Sequence, residues 1–259
     1  MKHIEFLGIP GSGKSTLCES LVTSLQEGGY QAYDIKSAAY LGIARWARLP
    51  SFNHRSDTLS IINRGIVKFL RKRTGVENLY LRQFLVQNPG LSATIFQGIS
   101  EHGPTENRKQ LYVDWFCKTI SRYALAQQHL TDGEILLFDE GFVNRSITLF
   151  HYRGDFSEAD IREYANRIPV PDSVILPEVP LEIARARMES RDKGFPPAYA
   201  DVSGETLLGI LEKNVGIIET MADELEERGA GIHRIDNTRD LVTVRTELNQ
   251  IVRESSLGQ

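Results

Sequence analysis

Apolar residues follow two rhythms along this chain: short continuous runs, and longer stretches that repeat every three or four positions. Ile4 to Ile9 reads as a buried strand closing in a glycine-rich turn, although Glu5 interrupts its apolar run. Leu17, Leu21, Val22 and Leu25 then share one helical face, with a stop at Gly28-Gly29. Gln31 to Ile35 reads as a second strand. From Ala38 to about Ser100 the pattern is mostly helical, with breakers at Pro50, Gly75 and Pro89-Gly90. A long helix is expected from Thr105 to Leu130, followed by the apolar strand Ile135-Leu136-Leu137-Phe138.

Ser157, with Asp160 three residues on, reads as the N-cap of a helix ending before Pro169. Ser173 to Leu176 is a fourth strand, and Pro180 suits the first turn of a helix ending near Gly194-Phe195-Pro196-Pro197. Glu205 to Arg228 is a strongly amphipathic helix, Ile232 to Ile235 a last strand, and Leu241, Val244, Leu248 and Ile251 line a final helix. Strands alternating with helices imply parallel βαβ units with helices on both faces of the sheet. With no internal repeat and no linker, the expectation is one α/β domain over residues 1–259, with a helical insertion at 38–104 after the second strand.

Composition narrows the class. At 259 residues, with 41% hydrophobic and 25% charged, the chain is that of an ordinary globular protein, not a disordered or collagen-like one. A net charge of −4 argues against a globally basic nucleic-acid binder and leaves a local basic patch open. Cys18 and Cys117 form neither a disulfide framework nor a CxxC spacing, and no histidine spacing suits a metal. No apolar run approaches the roughly 20 residues that cross a bilayer, and Met1-Lys2-His3-Ile4-Glu5 is unlike a signal peptide. A cytoplasmic protein with no membrane partner is expected.

The sharpest motif is Gly8-Ile9-Pro10-Gly11-Ser12-Gly13-Lys14-Ser15, which fits G-x-x-x-x-G-K-[ST] in full. Backbone N–H groups converge on phosphate oxygens only where side chains do not obstruct them, and the following helix adds its dipole. Gly8, Pro10, Gly11, Ser12, Gly13, Lys14, Ser15 and Thr16 are therefore candidate nucleotide-binding residues, with Lys14 for the β/γ oxygens and Ser15 for Mg²⁺. A bare strand-to-helix turn is the bland alternative, but the strand before and the amphipathic helix after are both present. The strand ending in Asp139-Glu140 supplies a carboxylate beside such a loop, and Asp139 is the second candidate metal residue. Cys18 reads as a small buried residue.

Arg185, Arg187, Arg191 and Lys193 crowd one helix end. Arginines on a mobile segment suit a phosphoryl group in transfer, whereas a solvated face paired with Glu182, Glu189 and Asp192 is the plain alternative.

Together these segments resemble the P-loop nucleoside and nucleotide kinases, nearest to the thymidylate kinases. Phe6-Leu7-Gly8 through Thr16 matches the first strand and phosphate loop, and Phe138 to Ser146 with Tyr152-Arg153-Gly154 resembles the Asp-Arg-Tyr and Tyr-Gln-Gly segments. Leu176 to Pro180 with Arg185 and Arg187 resembles the entry to the arginine-bearing lid, and Ile235-Asp236-Asn237-Thr238 the loop that cradles adenine. The resemblance implies a doubly wound five-stranded parallel sheet of order 2-3-1-4-5, ATP and Mg as cofactors, and Arg185, Asn237 and Thr238 as ATP contacts. Two departures stand out. The Arg-Glu-Pro-Gly-Gly segment expected after the second strand reads Tyr33-Asp34-Ile35-Lys36-Ser37, and the arginine after the metal-site aspartate is Glu140.

Residues 45 to 73 hold eight basic side chains (Arg45, Arg48, Arg55, Arg64, Lys68, Arg71, Lys72 and Arg73) against one acid, Asp57, a local +7 that leaves −11 elsewhere. This suggests an anionic ligand, with a solvated helical face as the equal alternative.

The leading expectation is transfer of the γ-phosphate of ATP to a small-molecule hydroxyl or phosphate acceptor. Lys14, Asp34, Asp139, Glu140, Arg187 and Arg191 are the candidate catalytic residues, with Asp34 before Glu140 as base. Asp34, Arg64, Lys118, Arg122, Arg145 and Arg153 are the candidate acceptor contacts. The rival is a P-loop ATPase that uses Asp139-Glu140 for hydrolysis and the basic segment for nucleic acid. A homodimer is admitted by either.

Overall fold

The structure, a computed structural model, describes residues 1–49, 57–102, 105–151, 156–191, 195, 199 and 204–257; the side chains of 57–64, 102, 204, 205 and 255–257 lie outside that description. Five strands form one parallel sheet: β1 (Lys2–Phe6), β2 (Gln31–Asp34), β3 (Glu134–Phe138), β4 (Ser173–Glu178) and β5 (Gly231–Asp236). Their order is β2-β3-β1-β4-β5, the expected one. Every neighbouring pair is parallel, with Ile4 opposite Leu137 on one side of β1 and opposite Ser173 on the other.

A strand covered on both faces carries apolar residues at consecutive positions. In β3, Ile135 and Leu137 enter one core with Leu17, Leu21 and Leu25 of α1 (Lys14–Glu27) and Val244, Leu248 and Val252 of α11 (Leu241–Leu257). Leu136 and Phe138 point to the opposite face and a larger core. That core takes in α2 (Ile35–Trp46), α3 (Asp57–Thr74), α4 (Val76–Gln87), α5 (Pro89–His102) and α6 (Glu106–His129), all between β2 and β3. It continues through α7 (Phe142–Phe150), α8 (Glu158–Arg167), α9 (Leu181–Glu189) and α10 (Gly204–Glu227).

Several boundaries follow local chemistry visible in the sequence. Gly75 supplies a left-handed φ of 61° between α3 and α4, and Pro89 opens α5, where its missing N–H costs nothing. The Thr105 side chain caps α6, and Ser157 and Asp160 form a reciprocal capping box on α8. Other boundaries differ from expectation. β1 stops at Phe6 rather than Ile9, because the carbonyls of Gly8 and Ile9 turn to accept from Lys14. β2 ends at Asp34, whose carboxylate caps α2 and starts that helix before Ala38. α9 ends at Glu189, so Arg191 follows the helix instead of belonging to it. Helix α7 is an element the sequence reading does not contain; its nine residues are short for a helix, although they do carry a helical spacing.

Beneath β3, Glu134 is 2% exposed and Arg45 answers it with two hydrogen bonds at 2.6 and 2.7 Å. Burial pushes this carboxyl up, but the bonds from Arg45 and Thr131 outweigh burial and hold it below the usual carboxylate range. Among the described residues no helix is long and apolar enough to cross a membrane.

Candidate active site

The loop from Gly8 to Gly13 joins β1 to α1 at the C-terminal ends of the strands, where open α/β sheets bind ligands. Two glycines in it are required by sterics. Gly11 has φ 85°, and a Cβ there would fall 2.2 Å from the Ala184 carbonyl oxygen of α9. Gly13 has φ 93°, and a Cβ would fall 2.4 Å from Asn237 Nδ2. Asn237 donates that amide to Ser12 O at 2.7 Å, while its own carbonyl accepts from Arg187 Nη2 at 2.9 Å. The loop is thus gripped by α9 and by the turn after β5. Gly13, the N-cap of α1, makes no side-chain capping bond, which leaves first-turn N–H groups for a ligand.

Lys14 folds back over the loop, donating to Gly8 O at 2.6 Å and Ile9 O at 3.0 Å. It is 8% exposed, and burial lowers its pKa to about 8 against the opposing pull of Glu140 and Asp139. Ser15 donates its hydroxyl to Asp139 Oδ2 at 2.8 Å. The two hard oxygen donors therefore meet at the loop's edge, a set that suits Mg²⁺ sharing a phosphate oxygen. Cys18 is buried and its thiol is pushed well up, chiefly by that burial, so it is not a nucleophile.

A cleft of about 660 Å³ opens from this loop. Gly8, Pro10, Gly11, Gly13, Lys14, Ser15 and Thr16 line it together with Glu140, Arg187, Ser190 and Arg191, and with Tyr112, Trp115, Asn144, Arg145, Ile147, Thr148, His151 and Tyr199. Asn144 Oδ1 accepts from Gly8 N at 3.3 Å, tying α7 to the loop. Arg145 pairs with Glu140 at 3.0 Å and lays its guanidinium 5.0 Å from the centre of the Trp115 ring. Behind the cleft wall Asn214, fully buried on α10, donates to Tyr199 Oη at 3.0 Å and lies 3.2 Å from His151 Nδ1. Burial pushes the His151 pKa below its ordinary value, against the opposing pull of the Asn214 hydrogen bond.

Other expected site residues fall elsewhere. Asp34 is not part of the cleft wall: its Oδ1 accepts from the amides of Lys36 and Ser37, and its Oδ2 from the Ser37 hydroxyl. Arg185 turns to Glu189 at 3.4 Å, and Thr238 is held in a turn by Asp236. Lys118 is exposed on α6, and Arg122 borders a separate, smaller cavity. Arg153, Arg55 and Lys193 lie outside the described residues, and Arg64 belongs to α3 with its side chain outside them. Of the basic segment, Arg45 is taken by Glu134 and Arg71 by Glu77. Sequence reasoning missed Asn144, Thr148 and His151 as cleft residues. Their spacing of four and three was the available sign, since it puts them on one face of a helix.

No family model matches this chain, and no curated protein does. Among solved structures it resembles deoxyadenosine kinase from M. mycoides with bound dCTP, at 15% identity and a TM-score of 0.45, over 97% of this chain and 99% of that one. The same enzyme with the products dCMP and a flexible dCDP bound gives 17% identity and a TM-score of 0.47, over 97% of each chain.

Among the described residues no group of three or more His, Cys, Asp or Glu side chains could hold a metal unaided. A cation at Ser15 and Asp139 would thus depend on phosphate oxygens and water for its remaining ligands.

Proposed function

We propose that this protein is a nucleoside-kinase-type phosphotransferase that moves the γ-phosphoryl group of ATP to a small aromatic acceptor, a nucleoside or nucleotide. The observation that carries this reading is the single cleft. Its wall combines a glycine loop and Lys14, which suit a triphosphate, with Tyr112, Trp115 and Tyr199, whose rings suit an aromatic acceptor. Arg187, which lies beside Gly13 of the loop, and Arg191 border the same cleft, and arginines there suit the charge that spreads over the equatorial oxygens during transfer.

The loop amides and Lys14 hold the phosphate chain, while Ser15 and Asp139 fit Mg²⁺, which when bound neutralises charge on the phosphate oxygens. Loose phosphoryl transfer needs positioning more than covalent help. If the acceptor is a hydroxyl, Glu140 is better disposed than Asp34 to take its proton, because Glu140 borders the cleft and Asp34 caps α2. Glu140 is held by Arg145 at 3.0 Å, a contact that bears equally on this role and on the water-orienting role of the hydrolytic rival, so the two are separated by the acceptor dependence of ADP release.

The test is ADP release from ATP and Mg²⁺ with and without each of a panel of nucleosides and nucleoside monophosphates. Release that requires one of these acceptors supports the proposal. Release that is independent of every acceptor, or stimulated by RNA or DNA, supports the ATPase instead.

A further inference from the structure

The small second cavity is formed where four helices meet, and it shares no wall residue with the cleft. Tyr40 of α2, Arg71 of α3, Glu77 of α4 and Arg122 of α6 surround a space of about 60 Å³, with the exposed Lys36 at its rim. That space is several times what one water needs, so it admits an oxyanion group but not a nucleotide.

Charge in the junction is unbalanced. Glu77 is committed to Arg71, whose Nε donates to it at 2.8 Å. Asp34 spends both carboxylate oxygens capping α2. Three cations, Lys36, Arg71 and Arg122, therefore face two acids that are already engaged. Arg122 is half-buried, and among the described residues it makes no hydrogen bond or ion pair, although Glu77 and Tyr40 stand on the same wall. Burial, and then the neighbouring Arg71 charge, push its pKa down, against the opposing pull of Glu77, Tyr40 and Asp34. A guanidinium carries five donors and keeps its proton, so Arg122 has unused donors to offer an anion that enters the cavity.

We propose that this four-helix junction is a binding site for one small oxyanion, the phosphate or carboxylate group of a small ligand, separate from the phosphate loop. Arg122 provides the charge-assisted hydrogen bonds, Lys36 closes the rim, and the Arg71–Glu77 pair fixes the wall. The ion can arrive free or as the anionic end of an organic molecule.

The probe is inorganic phosphate, added to Lys14→Ala protein so that the phosphate loop no longer contributes. Ionic strength is held constant with chloride. The expected result is a saturable rise in Tm of about 2–4 °C at several times the Kd. That rise should vanish in Lys14→Ala/Arg122→Met and weaken several-fold in Lys14→Ala/Lys36→Met. General salt stabilisation does not saturate and is common to all three proteins. Acetate and methyl phosphate in place of phosphate distinguish a carboxylate from a phosphate ester as the natural group. Should Lys14→Ala not fold, calorimetric titration of the parent and Arg122→Met with phosphate reads the same loss as one site fewer. No saturable shift in Lys14→Ala, or an equal shift after Arg122→Met, overturns the proposal. Neither outcome bears on the nucleotide cleft, which Arg122 does not border.

Discussion

Glu5 receives the backbone N–H of Val143 at 2.8 Å, and that of Phe142 at 3.2 Å, so a fully buried carboxylate on β1 caps the first turn of α7. The charge that breaks the apolar run of the first strand thereby aims the helix that carries Asn144 and Arg145 into the cleft. A Cβ on Gly141 would lie 2.2 Å from Glu5 Oε2, so this approach also dictates the residue before the helix.

Two variants test the arrangement. Glu5→Ala leaves two buried N–H groups unpaired and should cost about 2 kcal/mol or more in urea unfolding. Gly141→Ala should destabilise by overlap with that carboxylate, and the penalty should shrink in a Glu5→Ala background. Additive effects would mean that the two residues do not meet as described.

The Lys14 ammonium predicts a proton linkage. Its pKa of about 8 in the empty cleft should rise when phosphates neutralise its surroundings. ATP binding should therefore take up protons near pH 8.5 but almost none near pH 7, read by calorimetry in buffers of different ionisation enthalpy. Lys14→Met should abolish the uptake and most of the affinity.

The two lid arginines should fail differently. Arg191 borders the cleft, and its replacement should lower kcat by about 10³-fold if it meets the γ-phosphoryl as an arginine finger, with unchanged Tm. Arg187 also holds Asn237 O, so Arg187→Met should lower both kcat and Tm. Asp139→Asn should raise the Mg²⁺ requirement about 10-fold or more. Identical effects from both arginine variants would contradict the division of labour.

Arg45→Met should destabilise by about 3 kcal/mol at pH 7, because Glu134 would be left buried without its partner. The Glu134 carboxyl lies below its ordinary value in the folded protein, so its contribution is present above that ordinary value and fades as pH falls through the folded one. The stability gap between parent and variant should accordingly narrow below about pH 4. A gap independent of pH would show that the pair contributes by packing alone.

Legibility in the sequence followed the range of the interactions. The phosphate loop, the β3 strand, the Thr105 and Ser157 caps and the Gly75 and Pro89 breaks rest on neighbours in the chain, and each could be read there. Sheet order was reached by resemblance, since strand pairing is a long-range property. What stayed hidden depends on which of several possible partners the folded backbone brings to each side chain. Asp34 looks like a base at a strand end until Lys36 and Ser37 claim it as a cap, and Arg45 and Arg71 look like free charge until Glu134 and Glu77 are found beside them. The support of His151 and Tyr199 in the cleft wall was unreadable because they and Asn214, which contacts both, come from three separate segments.

The central claim is tested most directly by following the γ-phosphate itself. ATP labelled at that position is incubated with Mg²⁺, the protein and each nucleoside or nucleoside monophosphate, and the label is traced by chromatography. The account predicts label on one of these acceptors, lost in Lys14→Met and in Arg191→Met. Label appearing only as inorganic phosphate, whatever acceptor is present, would contradict it.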